Sequence, residues 1–341
     1  MQAHRSLLFV LLIGVVFCSQ AEEAKTKAEQ LAKIGISAGA YFPGYTNLCD
    51  LTMTFRDVNA PRDRAATPRR KDSADAKKSP QEHSRGKEPG PMQVFDNLYF
   101  VGNAGVSAWV LGDEDGYILI DALTSNKEAR ETIIGGMKTL GLNPDKIAYL
   151  VITHAHGDHY GGFRYLTQEY GMPVVMSEAD WKLAEIMPEH PKFGPAPALE
   201  GNIAVTDGTI LSAGNAEMEI RVTPGHTMGT ISPLFTVYDN GQPFRAALWG
   251  GTGFNFGVKP AQFAAYAKSA SNFKALAEEQ DVTVFLSNHG KRDGSIEKME
   301  QLARRPPGAL HPFDMGKHAT DVFDVLSNCA MAQYHRVKSG N

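Results

Sequence analysis

The chain has 341 residues, 43% of them hydrophobic and 21% charged, with a formal net charge of −4 at pH 7. That is the balance of a globular protein long enough to bury a large core, as one large domain or two small ones. The small negative charge gives no ground for nucleic acid or an anionic membrane surface as the main partner.

In chain order, residues 1–21 read as a signal peptide. Arg5 precedes the apolar run Leu7–Phe17, small residues stand at Ser19 and Ala21, and Glu22 and Glu23 follow. Cleavage is expected after Ala21, which places the mature chain in the periplasm or outside the cell. The apolar run is short for a bilayer-spanning helix, and no later segment has the uninterrupted apolar length for one. No stable membrane insertion is therefore expected after cleavage. Export leaves Cys49 and Cys329. They either pair, tying the N-terminal segment to the C-terminal helix, or stay as separate thiols. Residues 22–91 read as an N-terminal extension, with a short helix and irregular chain up to residue 55. Over 56–91 the sequence is basic, Pro-rich and nearly devoid of large apolar residues. Such a stretch buries too little surface to offset its ordering entropy, so it is expected to be a flexible linker or a long surface loop.

From residue 92 the pattern becomes regular. Val94–Val101, Val106–Leu111 and Tyr117–Ile120 read as strands, Asn126–Leu140 as an amphipathic helix and Ile147–Ile152 as a buried strand. A helix is expected to begin in the histidine cluster that follows and to run to about Tyr170. Val174–Met176 reads as a strand, with Ser177 capping the next helix. Glu217–Thr223, Ser232–Tyr238 and Phe244–Trp249 read as strands, and Pro260–Glu279 as a helix with proline at its start. Val282–Leu286 is a further strand, and Ser295–Arg304 and Asp314–His335 are helices. Strand clusters punctuated by helices suggest sheets covered by helices.

The chemistry concentrates in Thr153-His154-Ala155-His156-Gly157-Asp158-His159-Tyr160-Gly161-Gly162, directly after an apolar strand. Three imidazoles and a carboxylate fall within six residues of a chain that has 11 histidines in all. Imidazole and carboxylate suit zinc. His154 and His156, two apart, point the same way from an extended loop, while Asp158 and His159 open the next helix and can face a second ion. His226 ends a strand at Pro224-Gly225-His226-Thr227, and His289 ends another at Ser287-Asn288-His289-Gly290. Loops leaving rigid strands are where sites are carried, although each of these two histidines taken singly is also compatible with a satisfied surface residue.

HAHGDH, then PGH, then a histidine at a strand end resembles the metal signature of the metallo-β-lactamase superfamily. The resemblance extends from about Phe95 to the C-terminus. It implies an α/β fold, the αββα sandwich, in which two packed mixed sheets carry helices on both outer faces. Residues 92–341 would form this hydrolase domain. The ligand set is most similar to the third subclass of class B β-lactamases. Carried over by motif, His154, His156 and His226 would hold one zinc ion, and Asp158, His159 and His289 a second. The chain lacks the cysteine that first-subclass enzymes place at a middle metal position. Glyoxalase-II-like enzymes and many lactonases carry a metal-bridging aspartate where this chain has Gly250 and Gly251.

The resemblance implies that the two zinc ions share a water, ionise it near neutral pH and direct it at a carbonyl, with Asp158 as the orienting group. Thr252 reads either as a group near the second zinc or as strand-end packing. Tyr160 reads as pocket lining or helix packing, and Asn288 as a substrate-carboxylate contact or a turn residue. Asp180, Trp181 and Asn255 are expected near the mouth. The expectation is an exported dinuclear zinc hydrolase that opens β-lactam rings, acting on a small molecule and not on nucleic acid. The alternatives are a lactonase or other ester, thioester or sulfate-ester hydrolase, and, from another class, a non-catalytic binding protein on the same fold.

Overall fold

The computed structural model describes residues 22–58, 89–187, 189–190 and 192–339. The signal-peptide segment 1–21 and, within 56–91, residues 59–88 lie outside the described residues.

Strand alternation builds the layers. The first sheet holds β1 (Met92–Phe95), β2 (Leu98–Phe100), β3 (Trp109–Asp113), β4 (Gly116–Ile120), β5 (Ile147–Val151), β6 (Val174–Ser177) and β7 (Ile203–Val205), in that spatial order. It is antiparallel from β1 to β4 and parallel from β4 to β7. The second holds β8 (Ile210–Ala213), β9 (Ala216–Val222), β10 (Ile231–Asp239), β11 (Gln242–Trp249) and β12 (Val282–Ser287), antiparallel except for the parallel β11–β12 pair. Successive strand residues face opposite ways. Ile118 and Ile120 of β4 therefore meet Leu248, Val284 and Leu286 between the sheets. Tyr117 and Leu119 face outward onto the helical segments Asn126–Glu128, Ala129–Ile134 and Gly135–Thr139 and onto the helices Phe163–Tyr170 and Glu178–Ile186. On the far side Trp249 and Phe285 face helices Pro260–Glu279 and Asp321–Lys338. The result is the α/β metallo-β-lactamase fold, two mixed sheets between helical layers.

Several elements depart from the sequence expectation. Val94–Val101 is not one strand: Asp96 and Asn97 turn the chain, and β1 pairs antiparallel with β2. The helix expected from the histidine cluster to Tyr170 is two, Gly157–Tyr160 and Phe163–Tyr170. The break falls at Gly161 and Gly162, where the backbone of Ala122–Thr124 crosses so closely that a β carbon on either glycine would collide with it. The end of the chain opens with a 3-10 turn at Gly316–Thr320 before the helix Asp321–Lys338. Strands β7 and β8 carry too few residues for an alternation to show. Ser177 does cap the helix Glu178–Ile186, accepting from the Asp180 N–H at 3.2 Å.

The N-terminal segment is built into the domain. A helix over 22–38 and the 3-10 segments Gly39–Tyr41 and Pro43–Cys49 pack with the helix Asp321–Lys338. Cys49 and Cys329 are disulfide-bonded, which settles the two readings of these cysteines in favour of pairing. Gly35 lies against both sulfurs; a β carbon there would stand 2.5 Å from Cys49 Sγ and 2.9 Å from Cys329 Sγ. Among the described residues no helix is long and apolar enough to cross a membrane.

Candidate metal centre

Three strands deliver the site at their carboxyl ends. β5 runs into Thr153–His159, β9 into Thr223–His226 and β12 into Asn288 and His289. The ligand atoms form two groups, His154 with His156 and His226, and Asp158 with His159 and His289, each within 4.8 Å. Within the first, His154 Nε2 lies 3.0 Å and His156 Nδ1 3.1 Å from His226 Nε2. That group is sealed, its histidines 1 to 5% exposed. The second is open on one side: the Asp158 side chain is 35% exposed and that of His289 27%.

Hydrogen bonds outside the cluster fix which ring nitrogens face inward. His226 Nδ1 donates to Gly253 O at 2.7 Å, His289 Nδ1 to Gly105 O at 2.7 Å and His159 Nδ1 to Asp121 Oδ2 at 2.7 Å. The Thr153 hydroxyl spends its proton on Asp121 Oδ2 (3.0 Å), so at 3.2 Å it accepts from His154 Nδ1. These four imidazoles therefore turn Nε2 into the site, that of His159 lying 3.5 Å from Asp158 Oδ2. The His159 Nε2 atom is buried without a hydrogen-bond partner.

Burial dominates in the first group and neighbouring charge in the second. Burial, reinforced by neighbouring histidines, holds His154 and His156 well below the usual imidazole range, and burial pulls His226 down to about 4. All three are thus biased toward the neutral form that a metal ligand needs. Burial opposes charge on His159 too, but Asp158 and Asp121 outweigh it and push the ring up to about 10. The negative charge that favours a proton at Nε2 favours a cation in the same place. Burial raises the Asp158 carboxyl, but His159 and His289 overcome this and keep it ionised. Converging lone pairs, an orphaned buried Nε2 and a net need for positive charge fit a metal cation in each group.

Two aspartates that the sequence did not single out as anchors hold this arrangement. Asp121, at the end of β4, is buried and adopts a φ of 62°, unusual for a non-glycine residue. Besides His159 it accepts the Thr153 N–H at 2.8 Å. Asp180 was expected near the mouth but is buried: it accepts Ala155 N–H at 2.8 Å, the Thr227 hydroxyl at 2.8 Å and Gly229 N–H at 3.0 Å. It thus ties the HAHGDH loop to the loop carrying His226. Trp181 is buried as well, donating to Ile203 O at 2.9 Å.

The weaker expectations sort by burial. Tyr160 is fully buried in the outer helical core, so it packs and lines no pocket. Asn288 is 1% exposed, and its amide is committed to Thr153 Oγ1 at 2.9 Å and Gly250 O at 2.7 Å. It braces the loops and is not free to meet a substrate carboxylate. Thr252 is buried beside Gly253, whose carbonyl holds His226. At Gly250 a β carbon would collide with Ile231 O, and at Gly251 it would lie 2.6 Å from His226 Cβ. The Ile231 backbone at Gly250 and the His226 side chain at Gly251 thus leave no room for a bridging aspartate without a shift of these neighbours.

The chain is similar in sequence and in fold to known proteins. The model of the metallo-beta-lactamase superfamily matches residues 101–237. A hydroxyacylglutathione hydrolase of Rhodopseudomonas palustris is 29% identical over 131 residues, 37% of this chain and 44% of that protein. An exodeoxyribonuclease of Bacillus anthracis is 26% identical over 201 residues, 58% of this chain and 64% of that one. The chain thus spans less than half the length of the hydrolase and under two thirds of the nuclease. Among solved structures, a subclass B3 metallo-β-lactamase of Bradyrhizobium japonicum superposes with a TM-score of 0.58 at 25% identity, covering 70% of this chain and 91% of that one. A Cronobacter sakazakii metallo-β-lactamase has the same fold, with a TM-score of 0.59 at 24% identity and coverages of 70% and 91%.

Proposed function

Because the chain carries a metallo-β-lactamase superfamily domain, we propose that it is an exported, zinc-dependent hydrolase that opens β-lactam rings at a two-metal site. The observation that carries this reading is the pair of three-ligand groups, one sealed and one open on the side of Asp158 and His289. His154, His156 and His226 would hold one ion, and Asp158, His159 and His289 the other. When bound, zinc supplies Lewis acidity toward a carbonyl and lowers the pKa of water toward neutrality.

The chain's own residues then do three things. The sealed trio excludes water from one side. Asp158 presents an ionised, part-exposed carboxylate at the open side, where it orients the attacking water and draws on its proton. His159, locked by Asp121, keeps that carboxylate in place. The substrate is a small molecule entering from the open side. Export agrees with the paired cysteines, since disulfides persist in oxidising compartments.

A second reading, hydrolysis of a thioester or ester, is favoured by the sequence relatives named hydroxyacylglutathione hydrolase. The absence of room for a bridging aspartate at Gly250 and Gly251 weighs against it. The test is turnover of a chromogenic cephalosporin by the zinc-loaded chain, with a chelator control and a His156→Ala variant. Chelator-sensitive turnover that falls at least about a hundredfold in the variant is expected, from the loss of several kcal/mol of charge stabilisation. No turnover by a chain shown to hold zinc would overturn the β-lactam assignment and leave thioesters and esters as the substrate class.

A further inference from the structure

We infer that the N-terminal segment Pro43–Cys49 is a positioning element for the second metal group, acting on His289 through Arg292. This rests on the two-metal reading above. His289 is followed directly by a single helical turn, Gly290–Asp293. Arg292 in that turn reaches across to the N-terminal segment, where Nη1 donates to Gly44 O at 2.7 Å and to Asn47 Oδ1 at 2.5 Å. The backbones also touch: a β carbon on Gly44 would stand 2.5 Å from Arg292 O and 2.7 Å from Lys291 O. Beside this contact Phe42 and Tyr45 meet Phe285 of β12 edge to face, with ring centroids 5.2 and 6.1 Å apart. The far end of the segment is fixed by the Cys49–Cys329 disulfide and by Gln333, which donates to Leu48 O and Asp50 O at 2.9 Å each. A piece of chain some 245 residues distant in sequence thus forms one wall of the turn that carries His289.

The consequence is selective because the two groups have different supports. His154, His156 and His226 are held by Thr153, Asp180 and Gly253, none of which touches the N-terminal segment by any hydrogen bond described above. Asp158 and His159 leave the same loop, and His159 is anchored by Asp121. His289 alone of the six comes from the β12 end. Beyond its own loop, where Ser287 bonds its backbone, it has the Gly105 carbonyl on Nδ1. Upstream, Asn288 is braced on Thr153, Gly250 and Ser107; downstream, the backbone runs into the turn Gly290–Asp293, one wall of which is the N-terminal segment. Outer partners of metal ligands set affinity because they fix ligand orientation. Displacing the wall should therefore loosen the second group and spare the first.

The experiment is a titration of the metal-free full chain with cobalt(II), read by its absorption bands and by competition with a chromophoric chelator. The parent is compared with Arg292→Ala, Arg292→Lys and Asn47→Ala. The parent is expected to bind two equivalents. In Arg292→Ala the first equivalent should bind as in the parent, and the second should weaken about ten- to a hundredfold. Arg292→Lys, which retains one donor toward Gly44 O, should recover most of that loss. Asn47→Ala, a surface change that leaves the fold alone, should show a smaller loss confined to the second equivalent. A merely structural role would lower the melting temperature and weaken both equivalents together. Either that result or unchanged binding of two equivalents by Arg292→Ala overturns the inference while leaving the two-metal reading intact. A parent that binds a single equivalent overturns the two-metal reading, and the inference with it.

Discussion

At the scale of single residues, Asp121 shows how one carboxylate sets a site without touching its contents. It takes the proton-bearing side of His159 and both polar groups of Thr153, and Thr153 in turn fixes His154. In Asp121→Asn an amide N–H must face one of these donors, leaving a buried group unpaired. Second-equivalent metal affinity in a chelator competition is expected to fall about ten- to a hundredfold; unchanged affinity would mean that packing alone orients His159. The six ligand candidates were legible in the sequence because chemistry and spacing coincide in HAHGDH, PGH and the strand-end His289. Asp180 was not legible as an anchor, because its acceptor bonds go to Ala155, Thr227 and Gly229, far away along the chain. Tyr160 and Asn288 each carried a packing or turn reading beside the pocket reading, and their burial favours the former; proximity to a metal motif in sequence does not say which way a side chain faces.

At the scale of elements, apolar strands such as β5, β6 and the edge strand β12 read well, and turns and the short strands β7 and β8 read poorly. The β1–β2 hairpin reads as one strand in the sequence because Asp96-Asn97 interrupts the apolar run by only two residues. The split at Gly161 and Gly162 depends on a crossing segment that no local pattern announces. Elements are also joined by charge. Arg305, just beyond the helix Ser295–Leu302, grips Asp239 at the end of β10 through two bonds of 2.9 and 2.7 Å. The Arg305 hydrogen bonds hold the Asp239 carboxyl below its ordinary value. The folded state therefore favours the ionised form, and the stability it adds is present above the unfolded pKa of about 4. It is lost as pH falls through the lower folded value. Arg305→Ala should cost on the order of 1 kcal/mol at pH 6, and the gap from the parent in denaturant unfolding should close below about pH 4. A gap that stays constant with pH would assign the loss to packing of the arginine stem instead.

At the scale of the whole molecule, the disulfide closes a separation of 280 residues and fastens the N-terminal segment to the last helix. Chain-entropy arguments give a loop of that size on the order of 5 kcal/mol of stability. Reduction, or the Cys49→Ser, Cys329→Ser double variant, should therefore lower the melting temperature strongly. An unchanged melting temperature would show that the contacts of the 22–53 region hold it without the bond. The αββα class, most strand and helix positions and the six ligand candidates were readable from the chain alone. These follow from local periodicity and from side-chain chemistry carried within a few residues. Only the tertiary structure decided that Cys49 and Cys329 pair, that Asp121 and Asp180 anchor the metal loops, and that Gly250 and Gly251 leave no space for a further carboxylate. It also decided that one ligand group is sealed and the other open. Each of these depends on distances between segments remote in sequence, and such distances are set by how the two sheets and their helices pack, which no single stretch of chain encodes.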